Sequence, residues 1–152
     1  MSITVRTTKL IVEHLQSILS DAECRRAYTP VVEPSALDDL GKTTLCVIPI
    51  ERDADVYTQG GMQKNSFDID LCLCAKLNHI NDTDEILLGE IDTLIAVAEN
   101  IHSLFLKRIV LNQDGLKAAF DHPEHLVLFD REVFQYHHSF LSVVRINAVV
   151  LC

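Results

Sequence analysis

The spacing of hydrophobic positions along this chain switches repeatedly between helical and strand periods, and each switch marks an element. From Thr7 to Ala22, Leu10, Ile11, Leu15, Ile18, Leu19 and Ala22 recur at three- and four-residue steps, which predicts an amphipathic helix with Glu13, Gln16, Ser17 and Ser20 on its wet side. A short strand is expected over Ala27–Glu33. Pro34 and Gly41 then bracket Ser35–Leu40, with proline at a helix start and glycine past its end. Asp38 and Asp39 oppose the helix dipole there and limit it to a turn or two.

Thr43–Ile50 reads as a strand with two apolar faces: Leu45 and Val47 point one way, Cys46, Ile48 and Ile50 the other. Pro49 cannot donate a ladder hydrogen bond, so an edge or bulge is expected at that end. Glu51–Ser66 is polar, holds Gly60-Gly61, and is too long for a tight turn, which predicts a projecting hairpin arm or loop. Phe67, Ile69, Leu71, Leu73, Ala75 and Leu77 alternate with polar or small partners, the period of a strand. A second helix opens near Asp82 and Glu85, a capping-box pair, and carries the stripe Leu87, Ile91, Leu94, Ile95, Ala98, Ile101 and Phe105. Asn112–Gly115 is a turn signal, and Leu126–Phe134 is read as a strand interrupted near Asp130–Glu132. His138–Leu151 closes the chain as a strand, with Phe140, Val144, Ile146, Ala148 and Val150 on one face and Leu141, Val143, Val149 and Leu151 on the other.

Two helices separated by a hairpin predict an α+β fold: one domain, a single mostly antiparallel sheet, both helices packed on one face, and a long hairpin arm. Such a sheet normally has a polar outer face. The strands at 43–50 and 138–151 do not, so a second cover is needed. A neighbouring copy of the chain is the economical candidate, and Val47, Ile48, Val143 and Val144 are placed at that contact, with Tyr57 and Met62 near the arm's tip. The alternative cover is the arm at 51–66 or the segment 112–125.

Charge narrows the function. With 22 acidic and 13 basic residues in 152, the net charge of −9 repels phosphate backbones and disfavours general nucleic-acid binding. Five cysteines, with Cys72 and Cys74 neighbours on one strand face, fit reduced thiols and a cytoplasmic folding environment. The first residues lack a charged-then-apolar leader and no apolar run approaches membrane-spanning length, so no membrane role is expected.

Candidate chemistry is sparse. His122, His125, His137 and His138 lack zinc-site spacing, and His137 and His138 would point to opposite faces of a strand. Asp68, Asp70, Cys72 and Cys74 share a face but lie on one straight strand, which cannot surround an ion. Asp68 and Asp70 followed by Lys76 are the residue types of a divalent-metal nuclease core, yet Cys74 stands where a further acid belongs. No phosphate loop or nucleophile motif is present, so no catalytic, cofactor or metal residue is assigned.

The chain as a whole resembles the tail-terminator, or tail-completion, proteins of long-tailed bacteriophages, the lambda-type minor tail protein U group. The resemblance is carried by the helix Leu10–Leu19, by Leu45-Cys46-Val47-Ile48-Pro49-Ile50 before a long hairpin, and by Phe67-Asp68-Ile69-Asp70-Leu71. The helix Glu85–Phe105 and the closing Phe140-Leu141-Ser142-Val143-Val144 complete it. It implies a non-enzymatic virion protein at the tail–neck junction, assembled in the host cytoplasm as a homo-oligomer, a hexameric ring. Such a ring caps the tail tube protein, stops its polymerisation, and meets a neck or connector protein. DNA passes through its lumen without specific binding, and Asp53, Asp55, Asp68 and Asp70 are placed facing that lumen. Neck and head-completion proteins fit the same pattern; a metal-dependent nuclease or a small cytosolic binding module are the readings from other classes.

Overall fold

The computed structural model describes residues 2–33, 36–37, 43–50, 57–59 and 62–152, with backbone alone for 57–59 and 62–63. The first helix, α1 (Ile3–Ile18), begins a turn before the expected Thr7. Ser2 caps it by accepting from the Val5 N–H at 3.1 Å. Thr7 and Thr8 weaken the periodic signal, but both are buried and donate their hydroxyls to the Ile3 and Thr4 carbonyls at 2.7 Å each. After Ile18 the chain turns at once into β1 (Glu23–Arg26). Gln16 holds that corner: its amide donates to the Leu19 and Ala22 carbonyls and accepts from the Cys24 N–H at 2.8 Å. The strand expected at Ala27–Glu33 therefore sits four residues earlier, in a stretch too charged to read as a strand.

β1 runs parallel to β2 (Thr44–Ile50), and all other pairings are antiparallel. The remaining strands are β3 (Tyr57–Gln59), β4 (Met62–Lys76), β5 (Ile109–Gln113), β6 (Leu116–Val127) and β7 (Ser139–Leu151). Their order is β1-β2-β4-β7-β6-β5, with β3 on β4 in the lane that β2 leaves. The register of β1 on β2 stops at Val47, so among the described residues Pro49 faces no strand partner on that side and its missing N–H interrupts no ladder there. The arm is real as a hairpin between β3 and Met62–Lys64. Its return strand, however, is not a separate projection, because Lys64, Asn65 and Ser66 already pair with Leu151, Val150 and Val149. Residues 51–56 and 60–61, and most of the short helix expected at 35–40, lie outside the described residues.

The long helix, α2 (Asp84–Leu104), has Thr83 at its N-cap position with no side-chain capping hydrogen bond, and the expected Asp82–Glu85 box does not form. Asp82 is taken up by His79, with Oδ2 2.5 Å from Nδ1. The Glu90 carboxylate instead accepts from the Asn78 and His79 N–H groups at 3.0 and 3.1 Å, which ties the end of β4 to the helix. The Asn112–Gly115 turn joins β5 to β6, a hairpin whose strands the periodicity missed. Asp114 (φ 49°) and Gly115 (φ 80°) both take the left-handed conformation a two-residue turn requires.

Two further expectations are corrected. β6 ends at Val127, and Arg131–His137 is a short helix, α3, where a continued strand was expected. Asp130 caps it by accepting from the Val133 N–H at 3.0 Å. His137 thus ends a helix and His138 follows it at φ 54°, so they are not opposite residues of one strand.

Both long helices pack on one face of the sheet, as the pattern predicts. Leu10, Ile11 and Leu15 of α1 and Ile91, Ala98 and Ile101 of α2 meet Leu45, Val47, Ile69, Leu71, Phe120, Phe140, Val144 and Ile146 there. The opposite, outer face holds a smaller cluster: Leu37, Cys46, Ile48, Cys72, Cys74 and Leu141, against Ala27, Val31, Val32 and Val133.

Candidate functional site

The outer sheet face is banded, because directly opposed residues on neighbouring strands share a face and form rungs. The first rungs join Thr44, Cys74 and Leu141, then Cys46, Cys72 and Val143. Next comes Ile48, Asp70, Arg145 and Glu124, then Ile50, Asp68, Asn147 and Asp121. The last rungs carry Ser66, Val149, Ala119 and Val110, and finally Lys64, Leu151, Lys117 and Asn112. Thiols, charges, small apolar groups and cations thus follow one another along the sheet.

The thiol band is sealed. Cys46, Cys72 and Cys74 are all buried under the segment that carries Val31, Val32 and Leu37. Burial, with the Asp70 charge beside it, pushes the Cys72 thiol up to about 12. The Cys74 thiol is raised by its hydrogen bond to Cys46 and by burial, while Cys46, which accepts that bond, is lowered to about 7. Cys24 on β1 is raised to about 11, chiefly by burial and then by Glu23.

The ionic band centres on Arg145. Its Nε and Nη2 donate to the two Asp70 carboxylate oxygens at 2.7 and 3.0 Å, a bidentate pair that raises the guanidinium pKa against its own desolvation. One rung on, the Asn147 amide donates to Asp68, Ser66 and the Phe67 carbonyl. A one-residue bulge in β6 between Asp121 and Glu124 contains His122 (φ 54°) and Pro123, a place where a proline interrupts no ladder. These residues border an open cleft of about 440 Å³ lined by Ser66, Asp68, His122, Glu124, Arg145 and Asn147. On the helix side, the His102 and His125 rings stack 4.5 Å apart, within 8° of parallel. Burial first, and His102 second, lower the His125 pKa, and its Nδ1 is buried with no hydrogen-bond partner among the described residues.

Several placements made from the sequence are corrected. Val47 (0% exposed) and Val144 (2%) lie under the helices and offer nothing to another subunit. Ile48 (6%) is on the outer face but covered by the chain's own Ala27, Val31, Val32 and Leu37, in a cluster that takes in no residue of 112–125; most of 51–66 lies outside the described residues. Val143 is half-buried on the same face. Asp68 (5%) and Asp70 (9%) are buried and engaged by Asn147 and Arg145, so they are not open carboxylates lining a passage. Asp53 and Asp55 lie outside the described residues, as do the side chains of Tyr57 and Met62. Pattern reading missed the band that stays open, Val110, Val149 and Leu151 with Lys117. Its signal was the alternation hidden in Ile109–Gln113 and Leu116–Asp121.

The residue types of a nuclease core are not brought together. Asp70 is clamped by Arg145, and Lys76 lies six residues further along a straight strand, roughly 20 Å away. The late histidines disperse: His122 pairs with Asp121, His125 stacks on His102, and His137 reaches Glu33 at 3.3 Å. Among the described residues no three His, Cys, Asp or Glu side chains converge on a point that could hold a metal ion. No helix in the described residues is long and apolar enough to cross a membrane. In comparison with known proteins, no family model and no curated sequence matches this chain significantly.

Proposed function

We propose that this chain is a structural, ring-forming subunit of a long-tailed bacteriophage that caps the tail tube, ends its polymerisation and presents a face to the neck. A neck or head-completion role is the neighbouring form of the same reading. The protein acts by self-association and capping, not by catalysis. Support comes from the pattern resemblance and from an α+β subunit with both long helices on one sheet face.

One observation carries the reading. Among the described residues, the chain covers the thiol end of its outer face but not the Val110, Val149 and Leu151 end, where Val149 and Leu151 are half-buried and Val110, on the outermost strand, is 43% exposed. An apolar strip beside a strand with a free edge is a surface for another chain. The test is to polymerise the tail tube protein of the same phage with and without the purified chain. Tubes of defined length with a ring density at one end are expected; free elongation with bare ends would contradict the proposal.

A further inference from the structure

The outward side of α2 and the open end of the outer sheet face carry opposite charges around apolar centres. Along α2, Asp84, Glu85, Leu88, Asp92, Ile95 and Glu99 fall within about 100° of one another at 100° per residue, a strip about 22 Å long. Its four acids are exposed, Ile95 is half-buried and Leu88 is 58% exposed, while Ile91, Ala98 and Ile101 face the sheet. On the opposite layer, Val110, Val149 and Leu151 form the apolar floor described above. Lys117 and Lys64 stand on the next rung, and Arg108 directly precedes β5. Among the described residues, none of Asp84, Glu85, Asp92, Glu99, Arg108 and Lys117 is ion-paired within the chain.

Such a pair of surfaces cannot close on itself within one molecule, because the sheet lies between them. We infer that the acidic–apolar strip of α2 in one copy docks on the basic–apolar end of the outer sheet face in the next copy. The occupant is a second copy because the complement in charge and in kind, a helix with an apolar centre for a partly exposed apolar sheet face, is present on the same chain. The contact is heterologous: each copy offers one surface and receives the other, the geometry that yields rings when the rotation closes. The inference rests on the ring-forming reading and specifies its interface. Charges on the rim set orientation and partner choice, and Leu88 and Val110 supply the desolvated centre.

Two sets of charge reversals test it, all at exposed positions. One carries Glu85→Lys, Asp92→Lys and Glu99→Lys; the other carries Arg108→Glu and Lys117→Glu. Folding of each is checked by circular dichroism and thermal melting, and self-association of the full chain by sedimentation velocity. Wild type is expected to self-associate, more weakly as salt shortens the screening length from about 8 Å toward about 3 Å. Each variant alone should associate at least about tenfold more weakly, since both of its surfaces then carry one sign. An equimolar mixture should recover assembly, because each variant again meets its opposite. Wild-type-like assembly of either variant alone, or no recovery in the mixture, would overturn this interface while leaving ring formation standing. A wild type that stays monomeric throughout would also overturn it, and the capping assay with tail tubes then decides the functional reading separately.

Discussion

Asp70 and Arg145 show how a residue's role depends on what stands opposite it. In the sequence Asp70 is one of two acids on the polar side of a strand, which reads as a wet face. Its cross-strand partner is 75 positions away, and the pairing turns the site into a nearly buried bidentate bridge. Arg145→Met should destabilise the fold by about 2 kcal/mol: it strands a desolvated carboxylate, but the arginine side chain is 34% exposed, so water offsets part of the loss. Asp70→Asn combined with Arg145→Met should recover most of that, measurable as a double-mutant cycle in urea. His125 gives a pH prediction. Its pKa in the fold lies below the ordinary value of 6.5, so the unfolded chain binds the proton more readily. The stability this group contributes is present above about pH 6.5 and is lost as pH falls toward the lowered folded value. His125→Phe should flatten the decline in melting temperature over that range; an unchanged slope would show that other groups cause it.

At the scale of elements, what could be read depended on how clean the period was. α2 carries a long uninterrupted pattern and was placed within a few residues; β4 was legible from Phe67 onward, its first five residues having been read as part of the arm. β6 was missed because Asp121, His122, Pro123 and Glu124 look like a loop, and only a bulge lets a strand absorb them. α3 was misread because its seven residues are too few to show a period, although Asp130 three residues before Val133 is a capping signal. The glycines permit two opposite predictions. Gly89 lies within α2 and a Cβ there would meet nothing within 4 Å, so Gly89→Ala should stabilise by about 0.5–1 kcal/mol. Gly115 has the same free space but a φ of +80°, so Gly115→Ala should destabilise by about 1 kcal/mol. Thermal melts of the two variants should move in opposite directions.

For the molecule as a whole, the α+β class and the placement of both long helices on one face were legible, because they follow from element order and from which stripe is apolar. The candidate surface was not. Two-sided apolar strands signalled a second cover but could not say whose: at 43–50 the chain covers itself with Ala27, Val31, Val32 and Leu37, while Val110 at the β5–β6–β7 end is exposed. Of the acids expected around the central hairpin, Asp68 and Asp70 are buried, and Asp53 and Asp55 lie outside the described residues. Part of the acid excess lines the outer side of α2, where Asp84, Glu85, Asp92 and Glu99 face solvent with no ion-pair partner among the described residues.

The central claim is that this chain assembles with itself into a closed ring, and negative-stain imaging of the purified full-length protein, paired with native mass spectrometry of the same sample, tests it most directly. The account predicts annular particles of uniform diameter and a single dominant mass, that of a hexamer. Monomers under all conditions, with no annular density at the ends of tail tubes when these are added, would contradict it.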